Sequence, residues 1–321
     1  MSDLIKKLPK VLTQGSAGIF LILVILFAAL SISSPYFLTI VNITNLLLQS
    51  VFVMLVAFGM MFVLTMGGID LSIGSILGLS GGVTGMLLKT GMNMWVAILG
   101  GLAVGAMMGI INGLIITKIK VPPFLATFAM LNIARGLLML AAADEPIRQF
   151  ATPQFEYIAQ GYFLGIPVPV YITAVIFVIC YILFNWTSFG RYVVTVGSNR
   201  QASYLSGVSI NNIQIKVYMF SGLMAAVSGI LLASRLSSVQ PQMGASYELD
   251  AIAAAVIGGT SMSGGKGSLV GTMFGALIIA IISNGLDLLS INQFYRMIVT
   301  GLIIVIAVGV EHHTSSRSDA G

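Results

Sequence analysis

The sequence predicts an all-α, polytopic transmembrane helical bundle, and its composition and its apolar runs are the two observations that predict it. Of the 321 residues, 57% are apolar and only 8% are charged, and the mean hydropathy of +1.02 lies outside the range of soluble domains. In a bilayer the backbone polar groups must be satisfied internally, so only helices or a closed barrel can span it. Because the apolar runs lack the two-residue alternation of barrel strands, helices are expected.

Apolar runs of spanning length follow one another along the chain, since a bilayer core of about 30 Å needs about 20 helical residues. The longer runs cover residues 17–33, 46–66, 71–88, 93–117, 124–143, 169–186, 215–234, 268–286 and 295–310. A shorter run at 251–262 is the tenth predicted span, and glycine-interrupted segments are expected to be broken or half-helices. The chain is therefore predicted to be a single transmembrane domain, 1–321, of about ten spans.

Basic residues predict the orientation. Lysines within 1–16 precede the first span and place the N-terminus in the cytoplasm. Counting ten spans then puts the segment 187–214 and the tail 311–321 on the same side, whereas 144–167 lacks an excess of basic residues. The net charge of +5 is scattered between spans rather than clustered with aromatic residues, so lipid and not nucleic acid is the expected partner.

The chemistry-bearing residues argue against an enzyme. Cys180 lies within an apolar run and both histidines lie in the C-terminal tail, so neither a metal cluster nor a histidine-based catalytic site is expected. The stretch around Lys266 fails the phosphate-loop pattern, because Thr260 stands where a glycine is needed and Gly267 where a hydroxyl residue is needed. The chain is not expected to hydrolyse nucleotide or to bind a cofactor.

Two glycine-rich segments resemble each other when the second is allowed two extra residues, which indicates an internal duplication. The matching glycines are Gly67, Gly68, Gly74 and Gly78 in the first segment and Gly258, Gly259, Gly267 and Gly271 in the second. A further ridge, Gly101, Gly105, Gly109 and Gly113 at four-residue spacing, predicts close packing of its helix against another. Paired glycine-broken elements in two halves of a membrane protein indicate a transport site. A parallel and an inverted repeat both remain open.

Two ionisable residues fall within or beside predicted spans, where a charge needs a partner or a cavity. Asp70 either caps the helix starting near Leu71, together with Ser72, or takes part in a gate or passage. Arg135 lies inside the fifth run and is expected to bind a carbonyl, a water or a carboxylate inside the bundle.

The polar segment after the sixth run contains a short amphipathic helix, predicted at 199–206 with Gly207 at its C-terminal end. If it faces the cytoplasm, it is either a docking element for a soluble partner or an ordinary loop.

These motifs resemble those of the membrane-spanning permease subunits of bacterial ATP-binding-cassette sugar importers, in the ribose-type branch that also includes xylose and galactose permeases. The resemblance covers nearly the whole chain and is carried by residues 67–75, 123–127, 135–136, 197–208, 235–238, 247–254 and 258–261.

The resemblance implies a passage for a ribose-like pentose or a hexose, opened by alternating access. It also implies a second permease subunit, identical or related, and a cytoplasmic ATPase of the tandem-cassette kind that binds ATP and Mg. A periplasmic sugar-binding protein would deliver the cargo. The chain itself is then a permease domain of the bacterial inner membrane with both termini in the cytoplasm.

Site residues follow from the same resemblance. Importer permeases carry a Glu-Ala-Ala-x-x-x-Gly docking pattern, of which this chain has a degenerate form without the glutamate. The predicted ATPase-docking residues are Asn199, Arg200, Gln201, Ala202, Ser203 and Gly207. Uncharged sugars need hydroxyl and amide partners, so the predicted path or gate residues are Asp70, Ser72, Asn112, Asn132 and Asn284.

Two other transport classes stay open at this stage. A branched-chain amino-acid permease would favour helix N-termini or an arginine in the path for the cargo carboxylate, and Arg135 is a candidate. An ion-coupled carrier without an ATPase would need a relay of intramembrane carboxylates, for which only Asp70 and Asp287 are candidates.

Overall fold

The computed structural model describes residues 15–292 and scattered positions between 294 and 309. The predicted tail 311–321, nearly all of the N-terminal segment 1–16 and much of the last apolar run therefore lie outside the described residues. Within 15–292 the α-helices are α1 Gly15–Ser33, α2 Ile40–Thr65, α3 Ile73–Lys89, α4 Met94–Leu114, α5 Pro123–Ala142, α6 Pro153–Gln160, α7 Val168–Asn185, α8 Ser188–Ser198, α9 Arg200–Leu205, α10 Ile210–Leu236, α11 Tyr247–Ile257 and α12 Leu269–Leu288.

Among the described residues, six helices are long and apolar enough to cross a membrane: α2, α4 with its π-helical extension Ile115–Ile119, α5, α7, α10 and α12. Two further apolar helices are shorter: α3 and the stretch Gly18–Ser33 of α1. The predicted span at 251–262 overlaps α11, whose 11 residues reach only about 16 Å, half of a bilayer core. The all-α membrane bundle with a half-helix is thus confirmed, and the described helices are compatible with about ten crossings.

Helix α2 occupies the centre of the bundle. In its apolar stretch 89% of the residues are buried, whereas the corresponding share is 28% or less in α4, α5 and α7. These three helices consequently present apolar faces outward, as expected for contact with lipid or with another membrane subunit.

Helices α4 and α10 pack at backbone distance along the predicted glycine ridge. A Cβ at Gly105 would overlap the carbonyl oxygen of Gly222, and one at Gly109 would overlap that of Tyr218. The predicted role of this ridge in close packing is confirmed.

The segment between α5 and α7 caps one end of the bundle. It contains α6 and a small hairpin in which β1 Tyr162–Phe163 pairs with β2 Ile166–Pro167. Helix α6 is fixed to the end of α10, because the Ser234 hydroxyl donates to the carbonyl oxygen of Phe155 at 2.6 Å.

Candidate translocation and coupling site

The connection between α2 and α3 is a largely buried break between two helices. Helix α2 ends in a Schellman motif: the N–H of Gly67 donates to the carbonyl of Leu64 at 2.8 Å, and that of Gly68 to Val63 at 2.9 Å. Gly67 has φ +79°, a left-handed conformation that glycine adopts without a steric penalty.

A buried polar cluster holds this break against two other helices. The fully buried Asp70 accepts hydrogen bonds at Oδ1 from the backbone N–H and the hydroxyl of Ser72, at 3.0 and 2.6 Å. Its Oδ2 accepts from the Ser221 hydroxyl of α10 at 2.7 Å. The Asn112 amide of α4 donates to the Ser72 hydroxyl at 2.8 Å. Asp70, Ser72, Asn112 and Ser221 are called the Asp70 cluster below.

The structure brings three of the five predicted path residues together in this cluster, and Ser221 is the member that sequence reasoning missed. The sequence feature that could have indicated Ser221 is its three-residue spacing from Tyr218 within an apolar run. This spacing places both side chains on one helix face. The predicted capping by Ser72 is wrong: its hydroxyl makes no cap bond to α3, because it is bonded to Asp70 and Asn112 instead.

The unwound backbone beside Asp70 is also satisfied by neighbouring side chains, as hydrocarbon surroundings require. The Tyr218 hydroxyl donates to the carbonyl of Ile69 at 3.2 Å, and Gly68 leaves room for that hydroxyl, since a Cβ there would approach it to 2.7 Å. The break is therefore an ordered element.

The two remaining path residues lie elsewhere. Asn132 is exposed on α5 and donates to the carbonyl of Phe128 in its own helix at 2.9 Å. Asn284 forms a reciprocal amide pair with Asn42, with N–O distances of 2.8 and 3.0 Å. Spacing along the sequence could not distinguish Asn132 and Asn284 from the residues of the Asp70 cluster, because it does not show which helices are neighbours.

The second glycine element repeats the geometry of the first. Helix α11 ends in a Schellman motif at Gly259, which has φ +84°, and the N–H of Thr260 donates to the carbonyl of Ala255 at 3.0 Å. The residue preceding α12, Ser268, accepts from the Gly271 N–H at 3.0 Å. Each element thus joins a glycine-terminated helix to a new helix preceded by a serine.

The predicted register of the repeat is wrong by one residue. By backbone conformation Gly67 corresponds to Gly259 and not to Gly258. The serine that precedes the next helix follows after five residues in the first element (Ser72) and after nine in the second (Ser268), so the second connection is four residues longer rather than two. The predicted match of Gly74 with Gly267 fails for the same reason, since Gly74 lies inside α3 and Gly267 lies before α12.

The two elements meet each other and the end of α8. The N–H of Gly265 donates to the carbonyl of Thr65, the last residue of α2, at 2.8 Å. A Cβ at Gly264 would lie 3.0 Å from the nitrogen of Gly67 and 2.9 Å from the carbonyl oxygen of Gly197. A Cβ at Gly197 would overlap the Thr65 carbonyl. We call these five residues the glycine junction.

Helix α9, which follows α8 directly, confirms the predicted short helix. The Asn199 side chain caps it by accepting from the Ala202 N–H at 2.9 Å. Gly207 terminates it with φ +79° and donates its N–H to the Tyr204 carbonyl at 3.0 Å. Tyr204 and Leu205 are 71% and 78% exposed, so the helix presents apolar side chains outward.

Arg135 has the internal partners that were predicted. Its Nη1 donates to the carbonyls of Pro241 and Met243 at 2.9 and 2.7 Å. The same loop packs on α3, where a Cβ at Gly78 would lie 2.5 Å from the Met243 carbonyl oxygen. Arg135 therefore fixes the connection between α10 and α11 against the bundle.

Apolar spanning helices, two glycine-broken elements, and the helix α8 that contacts both and leads into the exposed α9 together define a polytopic membrane permease. Residues 42–308 match the family described as branched-chain amino acid transport system / permease component, and the chain belongs to this family.

The ribose import permease protein of Bacillus subtilis (strain 168) is 45% identical over 300 residues, 93% of each chain. That of Escherichia coli (strain K12) is 42% identical over 293 residues, 90% of this chain and 91% of the relative. The D-allose transport system permease protein of the same strain is 35% identical over 296 residues, 92% of this chain and 90% of the relative. These relatives confirm the ribose-type resemblance and a transport rather than an enzymatic role. No solved structure matches the chain significantly.

Proposed function

We propose that this chain is the permease subunit of an ATP-binding-cassette importer and forms the passage for a ribose-like pentose or a hexose. The observation that carries the proposal is the glycine junction, which connects the exposed α8–α9 segment to both broken elements. The relatives named for ribose and D-allose, together with an L-arabinose permease protein of E. coli at 34% identity, support a monosaccharide cargo.

Coupling would run from α9 to the break in the membrane. A partner ATPase that closes on ATP and Mg displaces α9 and α8 together. Gly197 then moves against the Thr65 carbonyl and Gly264, and both broken elements shift. Because these contacts are between backbone atoms and not between flexible side chains, a small displacement of α8 is transmitted almost fully to the two broken elements. The Asp70 cluster transmits the shift to α4 and α10.

The ATPase-docking surface would be the exposed face of α9. It comprises Arg200, Gln201 and Ala202, followed by the exposed Tyr204 and Leu205. Apolar side chains on a short capped helix suit insertion into a cleft of a soluble partner, even without the glutamate of the usual pattern. The partner is expected to be a tandem-cassette ATPase, and a periplasmic protein is expected to supply the sugar.

A second permease subunit would cover the exposed face of α5. Asn132 lies there among the exposed Phe124 and Phe128, and an amide facing lipid is unfavourable. Packing of two permeases along this face would place Asn132 beside the passage.

The charge pattern of the sequence supports cytoplasmic N- and C-termini.

The two alternative transport classes receive less support. Arg135 is bonded to two backbone carbonyls, so a cargo carboxylate would have to compete with them. Asp70 already accepts three hydrogen bonds, and Asp287 lies near the end of α12 distant from its junction with α11. This arrangement is not a proton or ion relay.

Replacement of Gly207 by valine is expected to lower uptake without removing the permease from the membrane. A left-handed conformation costs a residue with a Cβ about 1–2 kcal/mol, and a β-branched side chain suffers most. No described atom lies within 4 Å of a Cβ at this position, so backbone strain alone is tested. Gly207→Asn is the matched control, because asparagine tolerates this conformation. Equal uptake by the valine variant and the wild type would argue against docking through α9.

The cargo is tested by uptake of labelled sugars into cells that contain this permease and its partners as their only importer. D-ribose, L-arabinose and D-allose are compared with L-isoleucine, with and without the ATPase subunit. We expect uptake of at least one sugar that requires the ATPase. Uptake of isoleucine alone would favour the amino-acid class, and sugar uptake that survives loss of the ATPase but not of the proton gradient would favour a carrier.

A further inference from the structure

A polar cavity of about 530 Å³ opens between α2, α10, α11 and α12. It lies at the opposite end of the bundle from the glycine junction. Asn42 in its wall and Thr65 at the junction are 23 residues apart on α2, a helical distance of about 34 Å. The cavity likewise contacts the last turns of α10 and α12, whereas the junction precedes the first turns of α12. With α9 in the cytoplasm, the cavity faces outward.

Carboxamide side chains dominate its polar wall. Three of them, Asn42, Asn45 and Gln49, follow the three- and four-residue spacing of one face of α2, and Asn284 joins them from α12. The Gln49 Oε1 atom is buried and has no hydrogen-bond partner among the described residues. This orphaned acceptor is unfavourable as it stands and would be satisfied by a hydroxyl donor in the cavity.

The cavity wall contains one positively and one negatively charged side chain. Arg235 from α10 and Asp287 from α12 both line it, so the wall carries no net charge that would select an anion. The Arg235 Nη2 makes one long contact of 3.4 Å to Asn45 Oδ1. The end of α10 is also held in place, because Gln160 of α6 donates to the Ser234 carbonyl at 3.0 Å.

Apolar side chains complete the cavity, and Phe52 and Tyr247 add aromatic rings. Carboxamides that both donate and accept, beside aromatic faces, suit a neutral polyhydroxylated ring with its alternating hydroxyl and C–H surfaces. The volume is within the range of small-molecule sites, about 300–1,000 Å³.

We propose that this cavity binds a monosaccharide on the outer side of a single permease chain. The inference rests on the proposed function and assigns a binding site to it. The α2 residues Asn45 and Gln49 contact the sugar hydroxyls, and the Asn42–Asn284 pair forms the adjoining wall.

The test is protection of a cysteine from a membrane-impermeant methanethiosulfonate reagent. Gln49→Cys is made in a Cys180→Ala background and expressed as the full chain with its ATPase, in spheroplasts free of periplasmic protein. Tyr157→Cys, on α6 and 54% exposed outside the cavity, is the control. Asp287→Cys at the cavity rim is a second probe in case Gln49→Cys does not fold.

D-ribose is expected to slow modification of the cavity cysteine by a factor of 1 + [sugar]/Kd, about tenfold at nine times the Kd, and to leave Tyr157→Cys unchanged. An unchanged rate at both cavity positions up to the solubility limit of all three sugars would overturn the proposal. So would protection by L-isoleucine alone, or labelling only by a membrane-soluble maleimide, which would indicate a lipid-filled cavity.

Sugar uptake by the same cells separates this inference from the proposed function. If the wild-type importer takes up ribose but no cavity cysteine is protected, the cavity assignment fails and the permease function stands. If isoleucine is imported and no sugar is, the function itself fails.

Discussion

Replacement of Gly197 by alanine is expected to lower sugar uptake by about tenfold or more and to uncouple it from ATP hydrolysis. The added methyl group would overlap the Thr65 carbonyl and come 2.6 Å from the nitrogen of Gly265. Forcing a methyl group into a packed contact costs about 1–3 kcal/mol, and each 1.36 kcal/mol on a rate-limiting step is about tenfold. The strain falls on the contact through which α8 would move both broken elements.

The measurement is the number of sugars imported per ATP hydrolysed by the complete importer. Gly301→Ala is the matched control: it adds the same methyl group to an exposed helical position, but no described atom lies within 4 Å of the new Cβ. We expect the control to resemble the wild type. If Gly197→Ala keeps the wild-type ratio and rate, the glycine junction does not couple the ATPase to the passage.

Replacement of Asp70 by alanine is expected to destabilise the permease by about 3 kcal/mol or more. It removes the acceptor of three hydrogen bonds, from the Ser72 N–H, the Ser72 hydroxyl and the Ser221 hydroxyl. Each buried donor left unpaired costs about 1–3 kcal/mol. The midpoint temperature of unfolding of the purified permease should fall clearly, and uptake should be lost with it.

Ser221→Ala is the graded comparison for this prediction. It removes one of the three bonds, so a loss of about 1 kcal/mol is expected, with a smaller change in the unfolding midpoint. An Asp70→Ala variant that unfolds at the wild-type temperature yet transports nothing would contradict the structural role. That result would assign the carboxylate to the passage itself.

The positions of the membrane spans could be predicted from the sequence, because hydropathy is a local property of each apolar run. The predicted run 93–117 contains all of α4, Met94–Leu114, and the predicted helix at 199–206 contains α9. The Schellman glycine and the asparagine cap of α9 are equally local signals.

Contacts between segments that are distant along the chain could not be predicted from the sequence. The pairing of Asn42 with Asn284 joins residues 242 positions apart, and it depends on α2 and α12 being neighbours. The register of the repeat failed for a related reason: four glycines compete for the alignment, and only the positive φ of Gly67 and Gly259 identifies the equivalent ones.

The central claim, that this chain is the sugar passage of an ATP-driven importer, is tested most directly by reconstitution. The permease and its ATPase are placed in proteoliposomes, and uptake of labelled D-ribose delivered by the sugar-binding protein is measured with ATP supplied on the ATPase side. The account predicts uptake that requires ATP and is lost on replacing Gly197 by alanine, with no dependence on a proton gradient. Uptake driven by a proton gradient without ATP or the ATPase would contradict it.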